Sequence, residues 1–263
     1  MSDSEAVLSE LRDGVLTITL NNSRANALTL AMIDALQEAF KEAARSSPVR
    51  SVLLTGAGSV FCAGQDLSEI RQAKGESFRG HLQRTYNPLI LQIRRLEKPV
   101  LAGINGPVAG AGLGIALACD LRIAADTARF VVGFAGIGLA PDSAISLLLP
   151  SLIGLGRAAE FTFSNQPFSA EQALAWGLVN RLVPSEALAG QAYDWALALA
   201  RGPVGAMALA KRDFNKAVLS QLETVLDYEA QIQEIASQGD EHQEGVRAFF
   251  EKRSPRFWTG EIR

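Results

Sequence analysis

Residues 99–125 read PVLAGINGPVAGAGLGIALACDLRIAA, in which two short apolar runs flank a glycine-rich turn and a longer apolar stretch. PVLAGI (99–104) predicts a buried strand, residues 111–119 predict an apolar helix, and LRIAA (121–125) predicts another short strand. The run from Pro99 to Cys119 is uncharged, but its two prolines and five glycines are incompatible with a membrane span. The segment therefore predicts a strand–turn–helix–strand unit in the core of a soluble protein.

The same alternation extends over the first two-thirds of the chain. VLTITL (15–20) has the period-two pattern of a strand, and SVLLTG (51–56) is typical of a buried strand that ends at glycine. Between them, Thr29 is available as an N-cap. One helix face is predicted there from apolar residues four positions apart, at Leu28, Met32, Leu36 and Phe40. Strands that alternate with helices favour an α/β fold.

The last third of the chain has a different pattern. From about residue 186 onward the sequence is almost continuously helical, with breaks at Gly202-Pro203 and near Gly239-Asp240. Helical appendages of this kind often pack against a neighbouring subunit. We therefore predict an α/β core over residues 1–200 and a helical oligomerisation region over residues 201–263.

Composition narrows the class of protein. Hydrophobic residues make up 48% of the 263 residues and charged residues 20%, a balance that buries a substantial core. The net charge of −3 and the absence of a long Lys/Arg run predict neither nucleic acid nor a membrane surface as partner. Cys62 and Cys119 lie in apolar stretches and predict packed thiols of a reducing compartment. Because the N-terminus, MSDSEAVLSE, is acidic and polar, no secretory signal is predicted, and we expect a cytoplasmic protein.

Three stretches are candidates for chemistry. SVFCAGQDL (59–67) and the small residues 109–114 form turns where a ligand can approach the backbone closely. Free N–H groups at a helix N-terminus suit an oxygen that gains negative charge, although small residues also serve tight packing. The third stretch is GIGLAPDSAISLLLP (136–150). Its Asp142 is the only charged residue between Arg129 and Arg157.

A dinucleotide site is excluded by glycine spacing. Gly110, Gly112 and Gly114 give G-x-G-x-G, whereas the dinucleotide fingerprint requires G-x-G-x-x-G and position 115 is isoleucine.

Four blocks of sequence resemble the enoyl-CoA hydratase/isomerase (crotonase) superfamily. They occur in the family's order and, with the flanking pattern, extend the resemblance from about residue 15 to 257. The blocks are FCAGQDL (61–67), INGPVAGAGLGIALACDLRIA (104–124), GLAPDSAISLLLPSLIG (138–154) and EGVRAFFEKRSPRF (244–257). The resemblance implies a spiral of ββα units with a C-terminal helical region, assembled as a homotrimer or homohexamer. It also implies an acyl-CoA substrate, with no metal and no separate cofactor because coenzyme A is part of the substrate.

The resemblance assigns roles to particular residues. The backbone N–H groups of Ala63 and Ala111 are implied to hold the thioester oxygen, which becomes negatively charged when the α-carbon loses a proton. Further contacts with the acyl-CoA are implied for Gly64, Gln65, Asp66, Leu67, Phe249 and Lys252. For Asp66 the alternative is a cap on the next helix, and for Lys252 it is a solvated side chain on a terminal helix.

The departures from the family pattern bear on the type of reaction. The hydratases of the superfamily use two glutamates, whose positions here are Gly114 and Phe134, so two-acid water addition is disfavoured. In the isomerases a single acid directly after the proline of "GLAPD" acts as base, and its position here is Asp142. "GLAPDS" and "TYNPLI" (85–90) also resemble a subgroup of ring-opening epoxyphenylacetyl-CoA isomerases. The alternative for Asp142 is an N-cap on a helix starting near Ser143.

The working hypothesis is an isomerase with one base. Asp142, whose pKa burial raises, removes a C2 proton while the two amides hold the enolate oxygen. The proton then returns at C4 of a 3-enoyl chain, or the enolate drives an arene epoxide to its oxepin. The alternatives are an enoyl-CoA hydratase-like enzyme, a haloaroyl-CoA dehalogenase-like enzyme with Asp142 as nucleophile, and a non-catalytic CoA- or RNA-binding relative. His81 is a candidate auxiliary base in the dehalogenase alternative and otherwise an ordinary surface histidine.

Overall fold

The computed structural model describes residues 5–72 and 77–258. Residues 1–4 lie outside the described residues. They are part of the segment from which we predicted that no secretory signal is present. In the described ranges the strands are β1 (Val7–Arg12), β2 (Val15–Leu20), β3 (Ser51–Gly56), β4 (Val100–Ile104), β5 (Val108–Ala109), β6 (Leu121–Ala125), β7 (Arg129–Val131), β8 (Phe168–Ser169) and β9 (Arg181–Val183). The α-helices are α1 (Leu30–Arg45), α2 (Leu67–Gln72), α3 (Phe78–Arg84), α4 (Tyr86–Arg95), α5 (Ala111–Ala118), α6 (Ile145–Ile153), α7 (Leu155–Ser164), α8 (Ala170–Ala175), α9 (Leu188–Arg201), α10 (Val204–Val218), α11 (Leu222–Ser237) and α12 (Asp240–Phe250).

Two sheets organise the core. The larger sheet has the order β1-β2-β3-β4-β6-β9 and is parallel except for β1, which pairs antiparallel with β2. The smaller sheet has the order β5-β7-β8. The central strand β4 is buried along its whole length, which explains its continuous apolar sequence.

The chain repeats one unit along this sheet. Strand β4 of the larger sheet is followed by β5 of the smaller sheet and by helix α5, and β6, β7 and α6 repeat that order. This arrangement confirms the predicted α/β spiral of ββα units. Because β5 and β7 pair in parallel, the turns that follow these strands lie side by side.

The local predictions for the N-terminal half are confirmed with small shifts. Strands β2 and β3 coincide with the predicted segments, and the helix predicted for 111–119 extends over Ala111–Ala118. In α1 the Thr29 hydroxyl accepts a hydrogen bond from the Met32 amide at 3.2 Å. The predicted face of α1 is buried in the core at Met32, Leu36 and Phe40. Leu28 does not belong to this face, because it precedes the N-cap and pairs with Gln65 in an isolated β-bridge.

The C-terminal helices have the predicted breaks at Gly202-Pro203 and at Gly239, and a further break separates Val218 from Leu222. Helix α11 packs into the main core through Leu222, Leu226 and Ala230. The division at residue 200 and the role of the helices in oligomerisation stay predictions. What the structure adds is that α11 also belongs to the core.

Two further observations concern the cysteines and the helices. Cys62 and Cys119 are free, buried thiols. Among the described residues, no helix combines the length and apolar character that crossing a bilayer requires.

Candidate active site

A cavity of about 350 Å³ lies where three of the predicted stretches meet. One wall comes from the turn before α2, another from the start of α5, and a third from the segment between β7 and α6. The predicted site residues that line it are Ala63, Gly64, Gln65, Leu67, Ala111, Phe249 and Asp142. The fold therefore brings residues that are far apart in sequence to one cavity.

The amide of Ala111 is the first in helix α5. Gly110 precedes it with a φ of +54°, a left-handed conformation that suits glycine, and starts the helix against the cavity. In residues 5–72 and 77–258 the Ala111 N–H has no hydrogen-bond acceptor. A helix N-terminus leaves such amides unpaired and carries a partial positive charge. The Ala111 amide is thus available to an anionic oxygen.

The amide of Ala63 differs from that of Ala111. Its N–H donates to the Ala25 carbonyl at 3.1 Å. Ala25 and Asn26 both adopt positive φ angles, so this carbonyl is presented by a strained loop. A ligand oxygen at Ala63 must therefore share or replace the Ala25 carbonyl.

Asp142 is buried, with 6% of its surface exposed. Its Oδ1 accepts a hydrogen bond from the Ser143 hydroxyl at 2.7 Å, and its Oδ2 accepts one from Gln233 Nε2 at 2.8 Å. Burial raises the pKa of Asp142 to about 6, and the two hydrogen bonds oppose that shift only in part. The carboxyl group is thus a stronger base than an exposed aspartate and still ionises near neutral pH.

The turn after Asp142 is strained and held from outside. Ser143 and Ala144 have φ angles of +55° and +63°, which non-glycine residues rarely adopt. Glu229 of α11 accepts hydrogen bonds from the Ala144 amide at 2.8 Å and the Ser146 amide at 3.0 Å. Its carboxylate therefore caps the start of α6 and fixes the turn that carries Asp142.

This geometry tests the N-cap alternative for Asp142. Helix α6 begins at Ile145, two residues later than expected, and Glu229 supplies the capping oxygens. The Asp142 carboxylate bonds to the side chains of Ser143 and Gln233 instead. The N-cap alternative for Asp142 is therefore wrong, and its carboxylate remains on the cavity wall.

The two positions where the resemblance to hydratases implies glutamate hold no carboxylate here, since they are Gly114 and Phe134. A Cβ added at Gly114 would lie 2.5 Å from the Ser143 Cβ and 2.7 Å from the Ser143 carbonyl oxygen. Phe134 lines the cavity with an aromatic ring where the resemblance implies a carboxylate. The backbone around Asp142 therefore excludes a larger side chain at residue 114.

A polar network faces the same cavity. Gln65 Oε1 accepts a hydrogen bond from the Tyr86 hydroxyl and lies 3.3 Å from His81 Nε2. Burial and the charge of Asp142 raise the pKa of Tyr86 well above its usual value, so Tyr86 stays neutral. His81 thus contributes to the cavity wall as part of a network with Gln65.

The remaining predicted contacts lie in different surroundings. Asp66 Oδ1 accepts hydrogen bonds from the Ser68 amide and hydroxyl, as a cap of α2, and Oδ2 lies 3.3 Å from Arg24. Lys252 is exposed, and its φ of +54° follows the end of α12. Neither residue lines the cavity described above. Phe249, 56% exposed, reaches the cavity from α12.

Sequence reasoning missed Glu229 and Gln233. They lie four residues apart on α11, on the same face as Leu226 and Ala230, and both are buried. A carboxylate and an amide on the apolar face of an amphipathic helix are the signal that could have identified them.

Comparison with known proteins gives the family. A model of the enoyl-CoA hydratase/isomerase family matches residues 10–260. The 1,2-epoxyphenylacetyl-CoA isomerase of Escherichia coli (strain K12) is 40% identical over 257 residues, 96% of this chain and 98% of the relative. 4-Chlorobenzoyl coenzyme A dehalogenase-2 of Arthrobacter sp is 35% identical, over 89% of this chain and 86% of the relative.

Solved structures confirm the fold. An enoyl-CoA hydratase from Mycobacterium avium subsp. paratuberculosis K-10 superposes with a TM-score of 0.87 at 32% identity, covering 97% of this chain and 99% of that chain. The fold is therefore crotonase-like. The chain belongs to the enoyl-CoA hydratase/isomerase family, as its motifs predicted.

The cap formed by Glu229 leads to a stability prediction. Glu229→Ala leaves the Ala144 and Ser146 amides without their acceptor, so we expect the free energy of unfolding to fall by about 2–4 kcal/mol. Glu223→Ala on the same helix removes only an exposed ion pair with Arg95 and should cost at most about 1 kcal/mol. Urea unfolding monitored by circular dichroism measures both. Equal losses in the two variants would contradict the cap.

The burial of Asp142 predicts a pH-dependent stability difference. Because its pKa is about 6 in the folded protein and 3.8 in a model compound, the folded state binds more protons between these values. Stability is therefore lost as the pH rises through this window, by about 3 kcal/mol. Asp142→Asn removes that loss, so the variant should gain stability relative to wild type between pH 4 and pH 7.

Urea unfolding of wild type and Asp142→Asn at both pH values measures this gain. Asp227→Asn is the control, because Asp227 has a lowered pKa and its replacement should produce no such gain. A stability difference between wild type and Asp142→Asn that does not change with pH would show that burial does not perturb Asp142.

Proposed function

We propose that this protein is a cofactor-free acyl-CoA isomerase in which Asp142 is the base. The observation that carries the proposal is a buried carboxylate on the wall of a cavity that also contains the unpaired Ala111 amide. Such a pair suits removal of a proton next to a thioester carbonyl, since the base takes the proton and the amide holds the oxygen that becomes charged.

The proposed reaction starts at C2 of the acyl group. Asp142 takes a C2 proton, and the electron pair of the C–H bond moves toward the thioester oxygen. The Ala111 amide holds that oxygen, and the Ala63 amide does so when the oxygen displaces the Ala25 carbonyl. The proton on Asp142 then returns to a carbon conjugated with the enolate. No water is added, which agrees with the absence of carboxylates at Gly114 and Phe134.

We propose an aryl epoxide of phenylacetyl-CoA as the favoured substrate, with ring opening to the oxepin. The similarity to the 1,2-epoxyphenylacetyl-CoA isomerase of E. coli supports this choice. The cavity volume and the apolar side chains of Phe134, Ile137 and Leu139 suit an aromatic acyl group. A 3-enoyl-CoA that shifts its double bond into conjugation is the second substrate, because it needs the same base and the same amides.

The dehalogenase reaction is the competing function. The Arthrobacter relative supports it, and Asp142 would then act as a nucleophile on a haloaroyl-CoA. The hydrogen bonds from Ser143 and Gln233 restrict the Asp142 oxygens, which favours a proton-transfer role over attack on a ring carbon. Halide release from 4-chlorobenzoyl-CoA separates the two functions.

Assembly and location are further parts of the proposal. We propose a cytoplasmic homotrimer or homohexamer that uses coenzyme A only as part of its substrate.

A panel of thioesters tests the proposed function. We expect the wild type to convert the aryl-epoxide acyl-CoA or the 3-enoyl-CoA to a product of unchanged mass with new ultraviolet absorbance. Asp142→Asn should lower kcat by at least about a thousandfold while acyl-CoA binding stays nearly intact. Chromatography with mass detection measures turnover. A mass gain of one water from a 2-enoyl-CoA, or an active Asp142→Asn variant, would contradict the isomerase.

The Ala111 amide is tested by proline. Ala111 is the first residue of α5, where proline is tolerated because no intrahelical hydrogen bond is lost. Ala111→Pro removes the N–H group and places the proline Cδ in the position of the amide hydrogen. We expect kcat to fall by about a hundredfold to a thousandfold with an unchanged circular dichroism spectrum. Ala111→Gly keeps the amide and should stay within about tenfold of wild type. Equal activity of the two variants would exclude this amide from the reaction.

The acidic limb of the pH profile tests the base. Asp142 acts in its ionised form, so kcat/KM should rise with pH up to about 6 and then level off. Glu229, whose pKa burial raises to about 7, is a second buried carboxyl group, and its pKa responds to the charge of Asp142. The Glu229→Gln variant should retain the limb near pH 6. If the rise of kcat/KM near pH 6 is lost in Glu229→Gln, the titration belongs to Glu229 instead of Asp142.

A further inference from the structure

The terminal amide of Gln233 is in an unusual position beside Asp142. The side chain is completely buried, and Nε2 donates to Asp142 Oδ2 at 2.8 Å. Its Oε1 is also buried and has no hydrogen-bond partner among the described residues. Buried polar atoms without a partner are rare, so the unpaired oxygen next to a base calls for an explanation.

Asp142 has a side-chain amide among its partners, whereas Glu229 does not. Glu229 is held by the backbone amides of Ala144 and Ser146, which only donate hydrogen bonds, and by the Ser146 hydroxyl. Asp142 is held by a hydroxyl and a primary amide, Ser143 and Gln233. Each of these groups can donate or accept. Asp142 thus has partners that suit both its ionised and its protonated form.

Resting on the proposed function, we infer that Gln233 is a positioning residue that changes from donor to acceptor when Asp142 carries the substrate proton. While Asp142 is ionised, Nε2–H binds Oδ2. When Oδ2 is protonated, a half-turn of the Gln233 amide places Oε1 where Nε2 stood, and Oε1 accepts the new O–H. The final torsion of a glutamine side chain is broad and two-fold, so both orientations are available to it.

This exchange explains the unpaired oxygen. In the resting enzyme Oε1 is the unused half of the amide, and the hydrogen bond that it lacks forms once the proton has moved. A partner that only donates would instead oppose a protonated Asp142 with its own N–H. The exchange therefore lowers the free-energy difference between the two forms of the base, as reversible proton transfer requires.

The titratable neighbours of Asp142 are Glu229 on the same helix as Gln233, Tyr86 on α4 and His81 on α3. Tyr86 stays neutral over the range of interest. Glu229 needs separate control because burial raises its pKa to about 7, and His81 is controlled because it lines the same cavity as Asp142.

The test replaces Gln233 with methionine in the full-length protein. Gln233→Met keeps the length of the side chain and removes both hydrogen-bonding roles. Gln231→Met is the matched control, since Gln231 lies on the same helix and its amide bonds to Asp227 instead of Asp142. The Asp142 carboxyl titration is followed by carbon-13 NMR in the wild type and both variants, with Glu229→Gln and His81→Gln backgrounds to assign the signals.

We expect the titration midpoint of Asp142 to rise by about half to one pH unit in Gln233→Met and to stay unchanged in Gln231→Met. The rise follows because the ionised form loses a charge-assisted hydrogen bond, which is stronger than the neutral bond lost by the acid. In turnover, kcat should fall about tenfold with KM within twofold, because Gln233 does not line the cavity. The wild-type Gln233 side-chain NH₂ signals should titrate with the Asp142 midpoint.

Two results would overturn the inference. One is an Asp142 midpoint that is the same in Gln233→Met as in Gln231→Met. The other is a set of Gln233 NH₂ signals that do not change while Asp142 titrates. The NMR titration does not depend on turnover. If the proposed function is wrong but the inference about Gln233 is right, the Asp142 midpoint shifts in Gln233→Met although the protein has no isomerase activity.

Discussion

The carboxylate of Glu229 accepts hydrogen bonds from the amides of Ala144 and Ser146, and this interaction fixes the turn on which Asp142 stands. It compensates in part for the backbone strain of two consecutive left-handed residues, Ser143 and Ala144. One turn further along the helix, Gln233 binds the Asp142 carboxyl group directly. Helix α11 thus holds both the backbone and the side chain of the candidate base.

Two buried carboxyl groups, those of Asp142 and Glu229, lie at helix α11, and burial disfavours the charged form of each. Burial raises the pKa of both Asp142 and Glu229, and the charge of Asp142 raises the pKa of Glu229 further. Two fixed backbone amides and the Ser146 hydroxyl compensate for this in Glu229, whereas both partners of Asp142 can donate or accept a hydrogen bond. The same physical penalty therefore accompanies a structural anchor in Glu229 and the candidate base in Asp142.

The sequence predicted the parts of the site that depend on local pattern. Periodicity predicted strands β2 and β3, and small residues at a turn predicted the start of α5. Asp142 was identified because it is the only charge in a long apolar stretch. Local pattern did not predict the partners of Asp142. Gln233 lies 91 positions away and meets Asp142 only because α11 packs into the core. Nor does local pattern show that Ala25 occupies the Ala63 amide, since that contact depends on a strained loop.

The central claim is that Asp142 removes a proton from C2 of a bound acyl-CoA. Deuterium uptake from D₂O into phenylacetyl-CoA measures that step directly, because this thioester has acidic C2 hydrogens and no group that allows isomerisation. The account predicts enzyme-dependent uptake at C2 in the wild type and none above background in Asp142→Asn. Uptake at the same rate in both proteins would contradict it.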